Sequence, residues 1–230
     1  MLQKFQEDLI LNFVKDDRWK YLTNGLAVTL KLTFFAVLLG PVIGFFIAMV
    51  RSTYENTGKL KILNAICGVY LTVIRGTPVV VQLMIIYFVI FGAVRIDKSF
   101  VAILAFGINS GAYQAEIFRS GIQSIPKGQF EAGRSLGFSY GQTMTNIIMP
   151  QAIKNVIPTL ANEFIVLLKE TSVAGYIALE DLTKGGDIIR SRTYSAFMPL
   201  VAVALIYLVM VMVFSKGVKY LEGRLKKSER

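Results

Sequence analysis

Several charged and polar side chains interrupt otherwise apolar stretches of the sequence. Arg75, Glu163 and Glu170 carry charge, and Gln82 and Asn109 carry amide groups. Charges inside apolar segments are costly in a bilayer and are functional candidates by default. Carboxylates can bind a cationic group of a ligand, whereas a guanidinium and amide N–H groups can bind an anionic one. Together these residue types could bind a ligand that carries both charges.

Helical spacing groups these side chains on shared faces. Asn109, Tyr113 and Glu116 follow an i, i+4, i+7 pattern, and Glu163 and Glu170 are seven residues apart, so each set lies on one face of a helix. We interpret Glu116 as interfacial because it lies near the end of its apolar stretch. The predicted substrate-binding residues are Asn109, Glu163, Arg75, Gln82, Glu170 and Tyr113. In the alternative interpretation these charges pair with one another and hold the helices together, with Arg75 and Lys169 neutralising the acids.

The composition excludes several kinds of chemistry. The 230 residues include no histidine and one cysteine, Cys67, which excludes a Ser-His-Asp triad, a Cys-His pair, a histidine-ligated metal and an intrachain disulfide. No G-x-x-x-x-G-K-[ST] phosphate loop is present. Apolar residues make up 54% and charged residues 17%, against about 45–50% and about 25% in soluble domains. We therefore expect a membrane protein that is not itself an enzyme.

Five stretches are apolar enough to cross a bilayer, which takes about 20 residues. They are 22–50, 64–91, 99–118, 156–178 and 196–215, and the second is interrupted at Gly76-Thr77-Pro78. Soluble buried helices are the alternative, but they would leave too little polar surface to cover so much apolar chain. The predicted fold class is an all-α membrane protein with five transmembrane helices.

The distribution of basic residues predicts the orientation. Of the net charge of +10, the loops 51–63, 119–155 and 216–230 carry +9, whereas 1–21, 92–99 and 179–195 carry +1. Cytoplasmic loops are enriched in Lys and Arg, so the N-terminus is predicted outside and the C-terminus inside. Because the basic residues lie in short loops between spans, a nucleic-acid partner is not expected.

The segments outside the five-span region 22–215 have their own predicted roles. Residues 1–21 place Phe5, Leu9 and Phe13 at helical spacing, which predicts an external interfacial helix; an ordinary polar tail is the alternative. The tail 216–230 is basic and is predicted to lie against anionic lipid head groups.

The long loop 119–155 contains a short predicted helix. Pro126 can begin it, and Gly137 can end it or allow a close backbone approach. Apolar side chains among charged neighbours fit two interpretations: a helix that docks into a partner's groove, or a surface helix that caps the bundle.

The sequence of this loop resembles the EAA signature of permease subunits of ABC importers. Glu131-Ala132-Gly133 is followed by Gly137 and, nine residues later, by Ile147-x-Met149-Pro150. Gly133 replaces the usual second alanine and Met149 the usual leucine. Over about residues 22–225 the chain resembles the polar amino-acid branch of that family. The stretches that carry this likeness are 75–78 with Gln82, 109–113, 116–119, 162–164 and 169–172.

The resemblance implies a set of partners and roles. It implies a second permease chain, as a homodimer or heterodimer, two cytoplasmic ATPase subunits that hold ATP and Mg, and an extracellular or periplasmic amino-acid-binding protein. It also implies a bacterial cytoplasmic membrane location and no cofactor on this chain. Residues 125–138 would form the coupling helix, in which Glu131 and Arg134 contact the ATPase while Ala132, Gly133 and Gly137 permit close approach.

The sequence leaves two questions open: the type of transporter and the charge of its substrate. A stand-alone ion-coupled transporter or channel, with Glu163 and Glu170 as ion or proton sites, is the competing interpretation, although it has no use for a docking helix. Three intramembrane acids against two central bases favour a basic substrate by a margin of one charge.

Overall fold

The computed structural model describes residues 2–227, and all of the regular structure in that part is helical. The fold class is therefore confirmed as all-α. The α-helices are α1 (Leu2–Leu9), α2 (Trp19–Thr57), α3 (Lys61–Gly76), α4 (Val79–Met84), α5 (Lys98–Gln123), α6 (Lys127–Ser135), α7 (Tyr140–Thr143), α8 (Met149–Glu170), α9 (Leu182–Thr193) and α10 (Phe197–Lys227). Short π segments follow α1, α4 and α7, and 3-10 segments span Lys15–Asp17 and Thr171–Ile177.

Two of these helices, α2 and α10, are long and apolar enough to cross a membrane. Within the described residues the number rises to three if the interrupted pair Lys61–Gly76 and Val79–Ile90 forms one span. Helices α5 and α8 have 26 and 22 residues, which at 1.5 Å per residue corresponds to about 39 and about 33 Å. The five-span count and the orientation of the termini remain predictions.

The helices extend beyond the apolar stretches that predicted them. Helix α2 begins before residue 22 and continues to Thr57, and α8 begins at Met149, inside the predicted loop 119–155. The basic residues after 215 continue α10 without a break as far as Lys227. Apolar stretches mark the length of hydrocarbon that a helix can cross, whereas Lys, Arg, Glu and Gln are good helix formers that prolong it.

The predicted interruption of the second stretch is confirmed at Thr77. This residue has an extended backbone (φ −126°, ψ 147°) between α3 and α4, as expected for a residue that precedes proline. Pro78 then stands at the N-cap position of α4. The predicted span 64–91 is therefore two helices.

The chain divides into two compact units. The first unit takes in the residues up to Val37, Pro78–Gly107 and Ile165–Lys216. The second takes in Leu38–Thr77, Ile108–Phe164 and the residues from Gly217 onward. The first unit has a core around Leu32, Phe106 and Leu167, and the second has one around Ile47, Leu71 and Ala112.

In the first unit, the N-terminus of α9 packs directly on the backbone of α2. A β-carbon on Gly25 would lie 2.6 Å from the carbonyl oxygen of Asp181, so only glycine allows this approach. The Leu182 N–H donates to Thr29 Oγ1 at 3.1 Å. The buried Asp181 carboxylate caps α9 by accepting hydrogen bonds from the backbone N–H groups of Thr183 and Lys184.

The N-terminal segment is anchored to the same unit. Asn12 is fully buried, accepts a hydrogen bond from Thr193 Oγ1 at 2.9 Å and donates one to the Asp8 carbonyl at 2.8 Å. Phe13 packs against a core cluster of the unit. These contacts attach the segment to the first unit, and its location at a membrane interface remains a prediction.

Candidate functional site

A cavity of about 450 Å³ lies within the second unit, between α3, α5 and α8. Its lining includes three of the predicted substrate-binding residues, Arg75, Tyr113 and Glu163. The other lining residues are Glu116, Ile117, Ser120, Gly121, Ser124, Asn155, Val156 and Thr159. The cavity therefore offers one cationic, two anionic and several neutral hydrogen-bonding side chains.

Helical spacing brings the polar lining together. On α5, Tyr113, Glu116, Ser120 and Ser124 follow an i, i+3, i+7, i+11 pattern. On α8, Asn155, Thr159 and Glu163 follow an i, i+4, i+8 pattern. Residues at these spacings share one face of a helix. The sequence prediction included Glu163 but missed Asn155 and Thr159, although their helical spacing from Glu163 indicates the same face of α8.

The sequence interpretation set Glu116 aside, yet this residue is the centre of an ionic cluster. Its carboxylate oxygens lie 3.6 Å from Arg51 Nη1, 3.8 Å from Arg75 Nη1 and 3.5 Å from Arg119 Nη1. The Arg75 guanidinium also lies 5.7 Å from the centre of the Tyr113 ring, within cation–π range. Arg75 therefore has an acidic partner within the second unit.

The other predicted substrate-binding residues do not line this cavity. Asn109 lies on α5 in the second unit and is buried. Gln82, which is buried on α4, and Glu170, which is partly buried at the end of α8, belong to the first unit.

The predicted coupling helix is present as α6. It begins after Pro126 and ends where Gly137 adopts a left-handed backbone (φ 81°). The Gly137 N–H donates to the Arg134 carbonyl and the Phe138 N–H to the Gly133 carbonyl, each at 3.0 Å. This pair of bonds is the Schellman motif, which satisfies carbonyls at the end of a helix. The expected roles of Pro126 and Gly137 in bounding the helix are confirmed.

The exposed surface of α6 contains most of the predicted coupling residues. Glu131, Ala132 and Arg134 are exposed, as is the Gly137 turn. Gly133 is buried instead, and a β-carbon there would lie 2.6 Å from both Oγ1 and Cγ2 of Thr143. The small size of Gly133 is therefore explained by packing against α7 within this chain.

A second cavity of about 610 Å³ lies beside α6 in the same unit. Glu131 and Arg134 line it from α6, and Glu55 and Arg119 line it from α2 and α5. The Arg119 Nε and Nη2 atoms donate to one oxygen of Glu55 at 3.1 and 3.0 Å. Pairing between α2 and α5 thus occurs at the wall of a cavity that the predicted coupling helix completes.

Three features define the class of protein: long apolar helices, a polar cavity between helices, and an exposed helix in a basic loop. They are the features of a helical membrane protein that belongs to a transport system. The sequence model of the binding-protein-dependent transport system inner membrane components matches residues 40–227. The chain belongs to this family, whose members are permease subunits of ABC transporters with the ATPase on a separate subunit. The resemblance drawn from the EAA-like loop is confirmed.

Curated relatives cover most of the chain. A Bacillus subtilis arginine transport system permease protein is 36% identical over 91% of this chain and 94% of its own length. A relative from Rickettsia typhi, whose name places it in a glutamine transport system, is 38% identical over 89% of this chain and 93% of its own length.

Solved structures show the same fold. An amino acid ABC transporter crystallised with histidines matches with a TM-score of 0.81 and 44% identity, covering 89% of this chain and 94% of the other. An inward-facing methionine ABC transporter matches with a TM-score of 0.76 over 92% of this chain and 99% of the other. The second pair is 19% identical and supports the fold alone.

Proposed function

We propose that this chain is the permease subunit of an ATP-driven importer for polar amino acids. The proposal rests on likeness over most of the chain, since a solved amino acid transporter is 44% identical. Two relatives that cover about nine-tenths of the chain are named for arginine and glutamine transport. The bacterial sources of these relatives favour a multi-pass location in the bacterial cytoplasmic membrane.

The proposed assembly follows from the family. Two permease chains, identical or different, form the path, two cytoplasmic ATPase subunits supply energy, and an external binding protein delivers the amino acid. The chain crosses the membrane five times with its N-terminus outside, because the basic loops then lie on the cytoplasmic side. Membrane lipids surround the spans, and ATP and Mg are held by the partner, with no cofactor on this chain.

The cavity between α3, α5 and α8 is the proposed point of contact with substrate in this chain. Arg75 can pair with a carboxylate and Glu163 with an ammonium group, and both line the same space of about 450 Å³. A drug-sized ligand occupies a pocket of about 300–1,000 Å³, so an amino acid fits. Asn109, Gln82 and Glu170 remain proposed substrate contacts outside this cavity.

The proposed ATPase contact is the exposed part of α6 with the turn that follows it. Glu131 and Arg134 present charges of opposite sign on one short helix, which suits a partner surface with complementary charges. Ala132 and Gly137 allow the partner's backbone to approach, and Gly133 fixes the helix by its contact with Thr143.

For a basic amino acid the proposal rests on Glu163. Glu163 lines the proposed substrate cavity, and its carboxylate is the proposed attraction for a cationic side chain. The relatives named for arginine and glutamine transport make those two amino acids the informative comparison.

Reconstitution tests the proposed function. The chain is purified with a tagged candidate ATPase and placed in vesicles, and uptake of arginine and glutamine is measured with and without ATP and the binding protein. Uptake that requires both supports an ATP-driven importer. ATP-independent uptake by the chain alone would instead establish a stand-alone ion-coupled transporter or channel.

A further inference from the structure

An ionic chain of four side chains connects the cavity beside α6 with the cavity between α3, α5 and α8. Its members are Glu55 on α2, Arg119 and Glu116 on α5, and Arg75 on α3. Glu55 and Arg119 line the cavity beside α6, whereas Glu116 and Arg75 line the cavity that contains Glu163. The four residues therefore extend from the wall of the cavity beside α6 to the wall of the proposed substrate cavity.

The two ends of this ionic chain differ in how firmly they are held. Arg119 donates two N–H groups to a single Glu55 oxygen at 3.1 and 3.0 Å. The Glu116 carboxylate oxygens lie 3.5 Å from Arg119 Nη1 and 3.8 Å from Arg75 Nη1. Contacts beyond about 3.2 Å are longer than ordinary N–H···O hydrogen bonds, so Glu116 is held by charge rather than by close bonding.

Glu116 also has a choice of partners. Arg51, Arg75 and Arg119 come from three different helices, α2, α3 and α5, and all lie within 3.8 Å of its carboxylate. A carboxylate shared among three cations can move toward one of them without becoming unpaired. A small shift of one helix can thus change which arginine Glu116 contacts.

Stability alone does not explain the arrangement. The four side chains of the ionic chain, together with Arg51, are 27–44% exposed. Ion pairs with that much exposure contribute little to folding. The Arg51 Nε is buried without a hydrogen-bond partner, which costs free energy. Ion pairs that add little to stability leave a functional role as the better explanation of this arrangement.

We propose that Arg119 and Glu116 are positioning residues that link docking at α6 to the state of the substrate cavity. Movement of α6 against its partner alters the cavity shared by Glu131, Arg134, Glu55 and Arg119. Arg119 then shifts relative to Glu116, and Glu116 changes its distribution of contacts between Arg119 and Arg75. The inference rests on the proposed function, because it connects the proposed ATPase contact at α6 with the proposed substrate cavity.

The test measures coupling rather than transport alone. Arg119→Gln and Arg119→Lys are introduced into the full permease–ATPase complex in vesicles, and ATP hydrolysis is measured with and without binding protein loaded with arginine or glutamine. The ratio of stimulated to basal hydrolysis is expected to fall about tenfold for Arg119→Gln, within the usual range of coupling between sites. Arg119→Lys keeps the charge and is expected to restore part of the ratio.

A control distinguishes the effect of breaking the ionic chain from the effect of breaking any arginine–carboxylate pair. Arg190 on α9 donates its Nε and Nη2 atoms to one oxygen of Asp187, the same geometry as Arg119 with Glu55. Arg190→Gln is expected to leave the ratio of stimulated to basal hydrolysis unchanged. A comparable fall in this control would show that the effect is not specific to the ionic chain and would overturn the proposal.

A double-mutant cycle tests whether the members act together. Glu55→Gln, Arg119→Gln and the double variant are compared, and the double variant is expected to be no worse than Arg119→Gln alone, since residues that act as a unit are not additive. Additive losses would overturn the proposal, as would a constant ratio in all variants. If Arg119→Gln fails to assemble, Arg119→Lys and Glu55→Gln decide by the same ratio. The wild-type complex tests the proposed function separately, because it must show ATP-dependent uptake before any variant is compared.

Discussion

Gly133 of α6 lies so close to Thr143 of α7 that a β-carbon on Gly133 would come within 2.6 Å of the threonine Oγ1 and Cγ2 atoms. The Thr143 hydroxyl donates to the Ser139 carbonyl at 3.1 Å, which limits its freedom to rotate away. Contacts of α6 within its own chain therefore set its position, even though much of its surface is exposed.

This contact predicts a compensating pair of substitutions. Gly133→Ala restores the second alanine of the EAA pattern, yet it is expected to destabilise the chain by about 1–3 kcal/mol, as overpacking of a filled site does. Adding Thr143→Ala makes room for the new methyl group and is expected to recover most of that loss. Thermal unfolding of the purified permease–ATPase complex measures both effects.

Gly128→Ala provides the matched control on the same helix, because a β-carbon there would meet no atom within 4 Å beyond its chain neighbours and the backbone of α6 itself. Its expected effect is neutral or slightly stabilising, since alanine is the better helix former. Equal stability of Gly133→Ala and Gly128→Ala would contradict the packing argument.

Reversing the charge of Glu131 is expected to abolish transport. The side chain is exposed on α6, so Glu131→Lys should not impair folding, but it places a cation where the proposed ATPase contact has an anion. The measurements are amino-acid uptake and the amount of chain in the membrane. Normal uptake by Glu131→Lys would rule out the docking role.

The control for this charge reversal lies on the same helix. Gln129 is also exposed, and it is two residues from Glu131, about 200° around the helix axis. Gln129→Lys adds a positive charge to the opposite face and is expected to retain uptake. Loss of uptake in both variants would point to the net charge of α6 rather than to the Glu131 face.

Much of the architecture could be predicted because it depends on local patterns. The break at Thr77-Pro78 and the boundaries of α6 at Pro126 and Gly137 follow from backbone chemistry that proline and glycine fix locally. Helix ends could not be predicted from apolar stretches. Charged residues that favour helix prolong α10 to Lys227, and α2 continues to Thr57 through a polar stretch that includes Ser, Thr and Asn.

The candidate site was predictable only in part. Arg75, Tyr113 and Glu163 line one cavity, and their polar character in apolar stretches identified them. The pairing of Glu116 with Arg51, Arg75 and Arg119 was missed because it depends on how α2, α3 and α5 pack, which a single sequence does not encode locally. Gly133 was assigned to the partner contact, although its burial comes from Thr143, ten residues further along the chain.

The cap of α9 predicts a pH dependence. Burial raises the pKa of Asp181 from its ordinary 3.8 to about 6, against the backbone N–H bonds that lower it. The folded state therefore binds this proton more tightly than the unfolded state does. Its contribution is fully present below pH 3.8 and is lost as the pH rises through about 6, a difference of about 3 kcal/mol at most.

Asp181→Asn tests this titration. The variant keeps a capping side chain, since asparagine is also a good N-cap residue, but it cannot ionise. Thermal midpoints of the wild-type complex are expected to fall between about pH 4 and pH 7, and this component of the slope is expected to be absent in the variant. Parallel profiles for the two proteins would show that Asp181 does not titrate in this range.

Neutralising Glu163 is expected to change the choice of substrate. The carboxylate lines the cavity together with Arg75 and Tyr113 and is proposed to attract a cationic side chain. Glu163→Gln should weaken arginine uptake relative to glutamine uptake by about tenfold, the size expected for one charged hydrogen bond. The measurement is the ratio of kcat/KM values for the two amino acids in vesicles with ATP and binding protein.

Glu180→Gln removes an equal charge from an exposed position in the first unit and should leave that ratio unchanged. An equal loss of both substrates in Glu163→Gln would place Glu163 in the path without a role in charge selection. Unchanged uptake of both would remove it from the site, because a carboxylate that pairs with the substrate's ammonium or side chain cannot be neutralised without cost.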